Sequence, residues 1–430
     1  MAVDTNLELR NQVIYSVFVR NHTKEGTFQS LKQDLDRIRD LGVDIIWLLP
    51  VHPIGERARK GSMGSPYAIR DYRGINPELG SLEDFRELVD AIHARGMRCI
   101  IDVVYNHTSP DSVLASAHPE WFYHHPDGSF GNRIGDWTDI IDLDYSQKDL
   151  WQYQIDTLKQ WASLVDGFRC DVAPLVPLAF WLEARKQVSE VRPDCLWLSE
   201  SVEPEFIIAN RASGIASLSD SELYQAFDIT YEYDIFVDFE NYLKGRTPLQ
   251  QYADRINQQE YIYPENYVKL RFLENHDRER IAALLPDSAS LVNWTAFLYF
   301  QKGTAMLYGG QEFACVHRPS LFEKEPFSRD TGTDLSPLMR NLYRIRKHPL
   351  LRHSSYAVHA YSDDFLVAEH TGNGQKLIGI FCVRGGHGTI RIDLPEGIYE
   401  NLIGGNPVAI QNGAVNLDGS PVILESGENA

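Results

Sequence analysis

Between residue 13 and about residue 347 the chain repeats one unit eight times: a short apolar run, then a segment whose apolar residues recur every three or four positions. This alternation is the strongest constraint on the fold, because parallel strands need long crossovers and a helix is the usual one. The first run is 14–19, and the helix after it carries Phe28, Leu31, Leu35 and Ile38 before closing at Gly42. The second run, 44–50, is apolar on both faces, as a strand covered by helices must be. Further strands are predicted at 97–104, 165–171, 195–200, 226–229, 267–273 and 304–308, with a last helix over 335–347. Eight such units predict an α/β chain closed as a (β/α)8 TIM barrel from residues 1–107 and 149–350.

Two stretches break the pattern. Residues 108–148 hold His, Pro, Gly, Asp and Trp without either period and are too long for an ordinary connection, which predicts a short inserted domain after the third strand. Its Trp121, Phe122, Tyr123, His124 and His125 read as local packing before they read as a sugar platform or a metal site. After His348-Pro349 the texture changes to short apolar runs between Gly, Asn and Asp turns, predicting a C-terminal all-β sandwich over 351–430. There Asn412-Gly413 is a hairpin turn, and the runs 408–410, 415–417 and 422–424 are expected to close the sandwich as hairpins.

Charge narrows function by exclusion. With 60 acidic against 41 basic residues, a formal charge of −19, the chain has no basic footprint for nucleic acid and would be repelled by an anionic membrane surface. The first ten residues lack the basic start and apolar run of a signal peptide, and no apolar stretch is long enough to span a bilayer, so the expectation is a cytoplasmic chain. Five scattered cysteines suggest neither a disulfide framework nor a zinc site. Oligomeric state is left open by the sequence.

A barrel of this kind works at the C-terminal ends of its strands, and there the charged residues gather. Asp102 and His107 end the third strand, Arg169 and Asp171 the fourth, Glu200 the fifth, and His276 and Asp277 the seventh. Such groups are costly to bury unless they are paired or used. Arg169 and Asp171, two apart, share one face of an extended strand. Alone, such a pair is more often structural; beside a reacting group, the arginine would lower the pKa of Asp171 and keep it ionised. Three carboxylates at strand ends, Asp171, Glu200 and Asp277, are the equipment of glycoside hydrolysis. One attacks the anomeric carbon, a second protonates the leaving oxygen and later activates water, and a third is spare to hold hydroxyls. His107 and His276 would hydrogen-bond the same sugar, since imidazole both donates and accepts.

Through Asp102-Val-Val-Tyr-Asn-His107, Gly167-Phe-Arg-Cys-Asp-Val-Ala173, Leu196-Trp-Leu-Ser-Glu200 and Phe272-Leu-Glu-Asn-His-Asp277, the sequence resembles the α-amylase family, glycoside hydrolase family 13, along nearly its whole length. The resemblance implies Asp171 as nucleophile, Glu200 as general acid/base and Asp277 as the third carboxylate. It places Arg169, His107 and His276 in the same subsite, Tyr67 stacked on the sugar, and Asp102 as the residue that holds the site together. The activity implied is retaining hydrolysis of α-1,4 bonds in maltodextrins by a compact enzyme, with an α-glucan oligosaccharide as partner. An α-1,6-glucosidase or a transglycosylase would use the same carboxylates, and a non-catalytic amylase-like protein is the remote alternative. The pattern departs from many relatives at Pro174 and Leu175, where a Lys-His pair contacts the next sugar and supplies a calcium ligand. Asn106 and Asp142 remain as metal candidates for a reduced calcium site, and no obligatory cofactor is expected. Glu203 reads as a solvated helix-start acid and Glu274 as a loop charge.

Overall fold

The computed structural model describes residues 4–427 apart from 135–136 and 286. Residues 1–3 and 428–430 of the expected outer domains, and 135–136 of the expected insertion, therefore lie outside the described residues. Eight parallel strands close a barrel: β1 Val13–Val17, β2 Ile45–Leu48, β3 Arg98–Val103, β4 Gly167–Cys170, β5 Leu196–Ser199, β6 Ile229–Tyr231, β7 Lys269–Arg271 and β8 Thr304–Tyr308. Each strand pairs with its predecessor, and β8 returns to β1. Apart from Arg98 at the start of β3, every strand residue is buried, because helices cover the outside of the barrel and side chains fill the inside. The first long helix, Phe28–Asp40, starts at a Thr27–Ser30 capping box and buries Phe28, Leu31, Leu35 and Ile38, the stripe its spacing predicts.

The sixth strand is displaced from its predicted place at 226–229. Ala226 and Phe227 donate their N–H groups back to Leu223 O, so they finish a turn after the helix Asp220–Leu223. The strand begins at Ile229 and runs into polar residues, Thr230 and then Glu232, that apolar patterning passes over. The seventh strand keeps only Lys269–Arg271 of its predicted run. Buried Lys269 and Arg271 point to internal carboxylates, Lys269 to Asp234 at 3.0 Å and Arg271 to Glu232 at 3.0 Å.

Between β3 and β4 the chain leaves the barrel and comes back. His107–Thr108 pairs antiparallel with Ile141–Asp142, with His107 opposite Asp142. Within this excursion Trp121 and Phe122 are buried, and Trp121 stacks on His118 at 3.8 Å, so the aromatic cluster packs locally. At the C-terminus, β9 Ser355–Ala360, β10 Phe365–Gly372, β11 Gln375–Cys382 and β16 Val422–Ser426 form one antiparallel sheet in that order. A second sheet runs β12 Gly388–Arg391, β15 Ala414–Leu417, β14 Pro407–Gln411, β13 Gly397–Glu400. Asn412 and Gly413, with φ of 54° and 67°, make the left-handed turn between β14 and β15. The last run does not form a hairpin with β15 as expected: β16 crosses to the other sheet and pairs with β11, because Ile423 and Leu424 are needed in that core. Among the described residues no helix is long and apolar enough to cross a membrane.

One apolar core runs through the barrel and into the first C-terminal sheet. Phe381 on β11 meets Phe297 at 5.3 Å and Phe300 at 5.7 Å, both on the helix Ser288–Phe300. The buried ring leaves a large cavity when truncated, so Phe381→Ala is expected to cost about 3–5 kcal/mol in chemical denaturation. A loss below about 1 kcal/mol, the range of ordinary surface changes, would contradict this packing.

Candidate active site

The register of β3 on β4 sets Asp102 directly beside Arg169, and the site is assembled on that pair. The Arg169 guanidinium is fully buried. Its Nη1 donates to Asp102 Oδ1 at 2.9 Å and to Asp171 Oδ1 at 2.8 Å, while Nη2 lies 2.8 Å from Glu200 Oε1. Its Nε donates to Tyr231 OH at 3.2 Å, and the rings of Trp47, Tyr67 and Tyr231 surround its cationic carbon at 5.1, 5.7 and 5.5 Å. Glu200 is held a second time by Val172, whose N–H donates to Oε2 at 2.8 Å. Val172 adopts φ of 34°, a left-handed conformation that a β-branched residue takes only under constraint.

The other strand ends complete the wall. Tyr67 OH donates to Asp102 Oδ2 at 3.2 Å and lies 2.7 Å from His276 Nε2, and the two rings stack at 5.5 Å. His276 Nε2 also lies 3.1 Å from Asp277 Oδ2, and Asn275 Oδ1 accepts the Asp277 N–H at 2.9 Å. His107 comes in from the excursion, fixed by Tyr72 OH donating to its carbonyl at 2.6 Å. Asp171, Glu200, Asp277, Tyr67, His107 and His276 all face one cavity of about 310 Å³. Arg169 and Asp102 lie beneath it. All eight residues singled out in the sequence are thus brought together.

The model of the alpha amylase catalytic domain matches residues 12–137 and 115–337, and that of the bacterial alpha amylase C-terminal domain matches 357–424. The chain belongs to the alpha-amylase family. Its fold is close to that of an alpha-amylase from Lactobacillus plantarum, with 49% identity, a TM-score of 0.96, and coverage of 98% of this chain and 100% of that one. It is also similar to the noncanonic maltogenic alpha-amylase AmyB of Thermotoga neapolitana, at 32% identity and a TM-score of 0.87, over 98% and 99% of the two chains. Among curated relatives, alpha-amylase MalA of Haloarcula japonica is 27% identical over 95% of this chain and 61% of its own. An alpha-1,4-glucan:maltose-1-phosphate maltosyltransferase of Myxococcus xanthus is 34% identical over 44% of this chain and 32% of its own. The chain therefore spans less than two thirds of these two curated relatives, and the alpha-amylase family it joins includes both hydrolases and transferases.

Charge at this alpha-amylase site is set by burial against one cation. Three buried carboxylates share a single guanidinium, so desolvation outweighs Arg169 and raises all three: Glu200 to about 8, Asp102 and Asp171 to about 7. The sequence had led us to expect Arg169 to lower Asp171 outright. Its pull is real but is divided among three partners and opposed by burial. The cluster is therefore biased toward binding a proton, and Glu200 is the group pushed furthest. Burial drives His107 and His276 down to about 4, so both imidazoles are neutral and free to donate and accept.

Several participants were not singled out by sequence. Lys60, Trp137, Asp139 and Phe322 also line the cavity, from loops without periodicity, and no spacing marks them. Glu274 lies in the loop after β7, as expected, but is fully buried, accepting from Ile281 N at 2.7 Å and Arg280 Nη1 at 2.5 Å, which fixes the turn around Asp277. Glu203 opens the helix Pro204–Ala212, and pairs with Arg278, linking the β5 and β7 loops.

Asn106 and Asp142 do meet, with Asn106 Nδ2 3.5 Å from Asp142 Oδ1. Asp142 Oδ2 already accepts Arg133 N–H at 2.7 Å and faces the Arg133 guanidinium at 3.7 Å. Calcium takes six to eight oxygens, and among the described residues no group of three or more His, Cys, Asp or Glu is placed to hold a metal.

The Glu200 carboxyl, raised from its ordinary 4.5 to about 8 on folding, makes the folded state the better proton binder between those values. Stability from this group is in full below its unfolded pKa and is lost as pH rises through about 8. Denaturation curves are therefore expected to show wild type losing more stability than Glu200→Gln between pH of about 5 and about 8.5. Equal losses would contradict the raised Glu200.

Proposed function

We propose that this chain is a retaining hydrolase that cleaves α-1,4 bonds of maltodextrins through a covalent ester on Asp171. The observation that carries the reading is the one guanidinium reached by both Asp171 and Glu200, which puts a nucleophile and a proton donor a short distance apart in one cavity. Retaining pairs work at a separation of about 5 Å. Arg169 holds Oδ1 of Asp171, and Oδ2 attacks the anomeric carbon as Glu200 gives its proton to the glycosidic oxygen and the C–O bond breaks. Water then enters where the leaving chain was. Glu200 takes a proton from it, its oxygen bonds to the anomeric carbon, and Asp171 is released. Neutral His107 and His276 bind sugar hydroxyls, Asp277 accepts from others, and the Tyr67 ring supplies an apolar face.

Hydrolysis of a neutral glucan is favoured over transfer from a phosphorylated donor by the charge of the cavity. Asp139, Asp171, Glu200 and Asp277 face it, and its one lysine, Lys60, is already paired with Asp139 at 2.8 Å. A phosphate group would meet carboxylates without a free cation to answer it.

With maltopentaose as substrate, Asp171→Asn is expected to lower kcat by about 1,000-fold or more. Glu200→Gln given α-maltosyl fluoride, whose departure needs no acid, is expected to accumulate a maltosyl ester on the peptide containing Asp171, read by mass. Near-normal turnover of Asp171→Asn, or an ester on another residue, overturns the nucleophile.

A further inference from the structure

Three loops are bonded to one another along one flank of the catalytic cavity. The loop after β2 supplies Lys60, Ser65 and Tyr67; the excursion between β3 and β4 supplies Trp137, Asp139 and Ile140; the segment after β8 supplies Phe322. Lys60 Nζ reaches Asp139 Oδ1 at 2.8 Å and ties the first of these to the second. On its other flank the same loop is tied to the third: Met63 N donates to Phe322 O at 3.0 Å, Ser62 N donates to Glu323 Oε1 at 2.9 Å, and Ser62 Oγ meets Glu323 again. Buried Arg20 donates from Nη1 to both Gly64 O at 3.0 Å and Leu321 O at 3.1 Å, so one guanidinium pins the two segments together. The approach demands glycine at position 61, where φ is 65° and an added Cβ would lie 2.6 Å from Phe322 Cβ.

Phe322 therefore stands as a partition. Beyond it lies a second cavity of about 480 Å³, lined by His317, Arg318 and Glu325, which shares only His276, Asp277 and Phe322 with the first.

The opposite flank is built differently. Glu200, the proton donor, accepts the Val172 N–H, so the leaving chain departs on the side of Val172 and of the short helical turn Ala173–Leu175. Among the described residues no hydrogen bond or ion pair joins 137–140 of the excursion to Ala173–Leu175. Among the described residues, the bonds that tie the loop after β2 to its two neighbours therefore lie on the Lys60–Phe322 flank and not on the Val172 flank.

We propose, resting on the hydrolase reading, that this clamp makes the glycone side a blind end. The cavity then takes the non-reducing end of a glucan and releases short products from it, with Phe322 and the Lys60–Asp139 pair setting how much chain fits. An endo-acting cleft would instead need the chain to run past Phe322 into the cavity lined by His317, Arg318 and Glu325.

The test uses two maltoheptaosides with the same chromophore at the reducing end, one of them carrying an ethylidene acetal across the 4- and 6-hydroxyls of its non-reducing terminal glucose. Products are resolved by chromatography. Wild type is expected to cleave the blocked compound at least about tenfold more slowly than the open one, and to leave the label on one chain length in the first turnovers. Phe322→Ala, which merges the two cavities, and Lys60→Ala, which unlatches the loop, are each expected to narrow that ratio by about threefold or more and to spread the label over several lengths. Equal wild-type rates on the two compounds overturn the blind end, and a ratio unchanged in both variants overturns the assignment to this clamp. Failure to cleave the open compound overturns the hydrolase reading itself, an outcome separate from either.

Discussion

A buried guanidinium shared by three carboxylates is the interaction on which the site depends. Arg169 cannot shed its charge, and Asp102, Asp171 and Glu200 cannot all keep theirs in a dry interior around one cation. The compromise is a cluster biased toward binding a proton, the condition from which acid catalysis begins. Its geometry is inherited from the barrel. Asp102 sits beside Arg169 because β3 and β4 pair in that register, and the rings of Trp47 and Tyr231, from β2 and β6, fill the space around the cation. The barrel interior is thus packed around the same group that organises the chemistry above it.

Much of this was legible in sequence, and for a physical reason. Strands buried on both faces leave long apolar runs, helices between them leave a stripe every three or four residues, and a charged residue at the end of an apolar run has to be paired or used. Arg169, Asp171, Glu200 and Asp277 announced themselves in that way. The sixth strand was misplaced because a barrel interior tolerates paired polar groups: Thr230 and Glu232 are buried through internal partners, Tyr224 and Arg271, and their sequence looks like loop. Asp171 was read correctly as a partner of Arg169 but incorrectly as its sole beneficiary, since pairwise spacing does not reveal that Asp102 and Glu200 reach the same guanidinium.

The cavity wall was the least legible part. Lys60, Asp139 and Phe322 come from three loops far apart in sequence, and their meeting depends on backbone hydrogen bonds and one glycine, none of which leaves a periodic mark. The left-handed Val172 is similar, because nothing in its side chain calls for that conformation; the turn aims its N–H at Glu200. The division has a functional sense. The charged groups of the site stand on rigid strand ends, whereas the wall of the cavity is left to loops, which can change without disturbing the barrel. This fits an alpha-amylase family in which hydrolases and transferases share one catalytic core.

If Asp171 forms a covalent intermediate and Glu200 serves both halves of the reaction, configuration is inverted twice and retained overall. Proton NMR of the sugar first released from maltopentaose, recorded before mutarotation equilibrates the anomers, tests it most directly. The new reducing end is expected to appear as the α-anomer. Initial appearance of the β-anomer would contradict it.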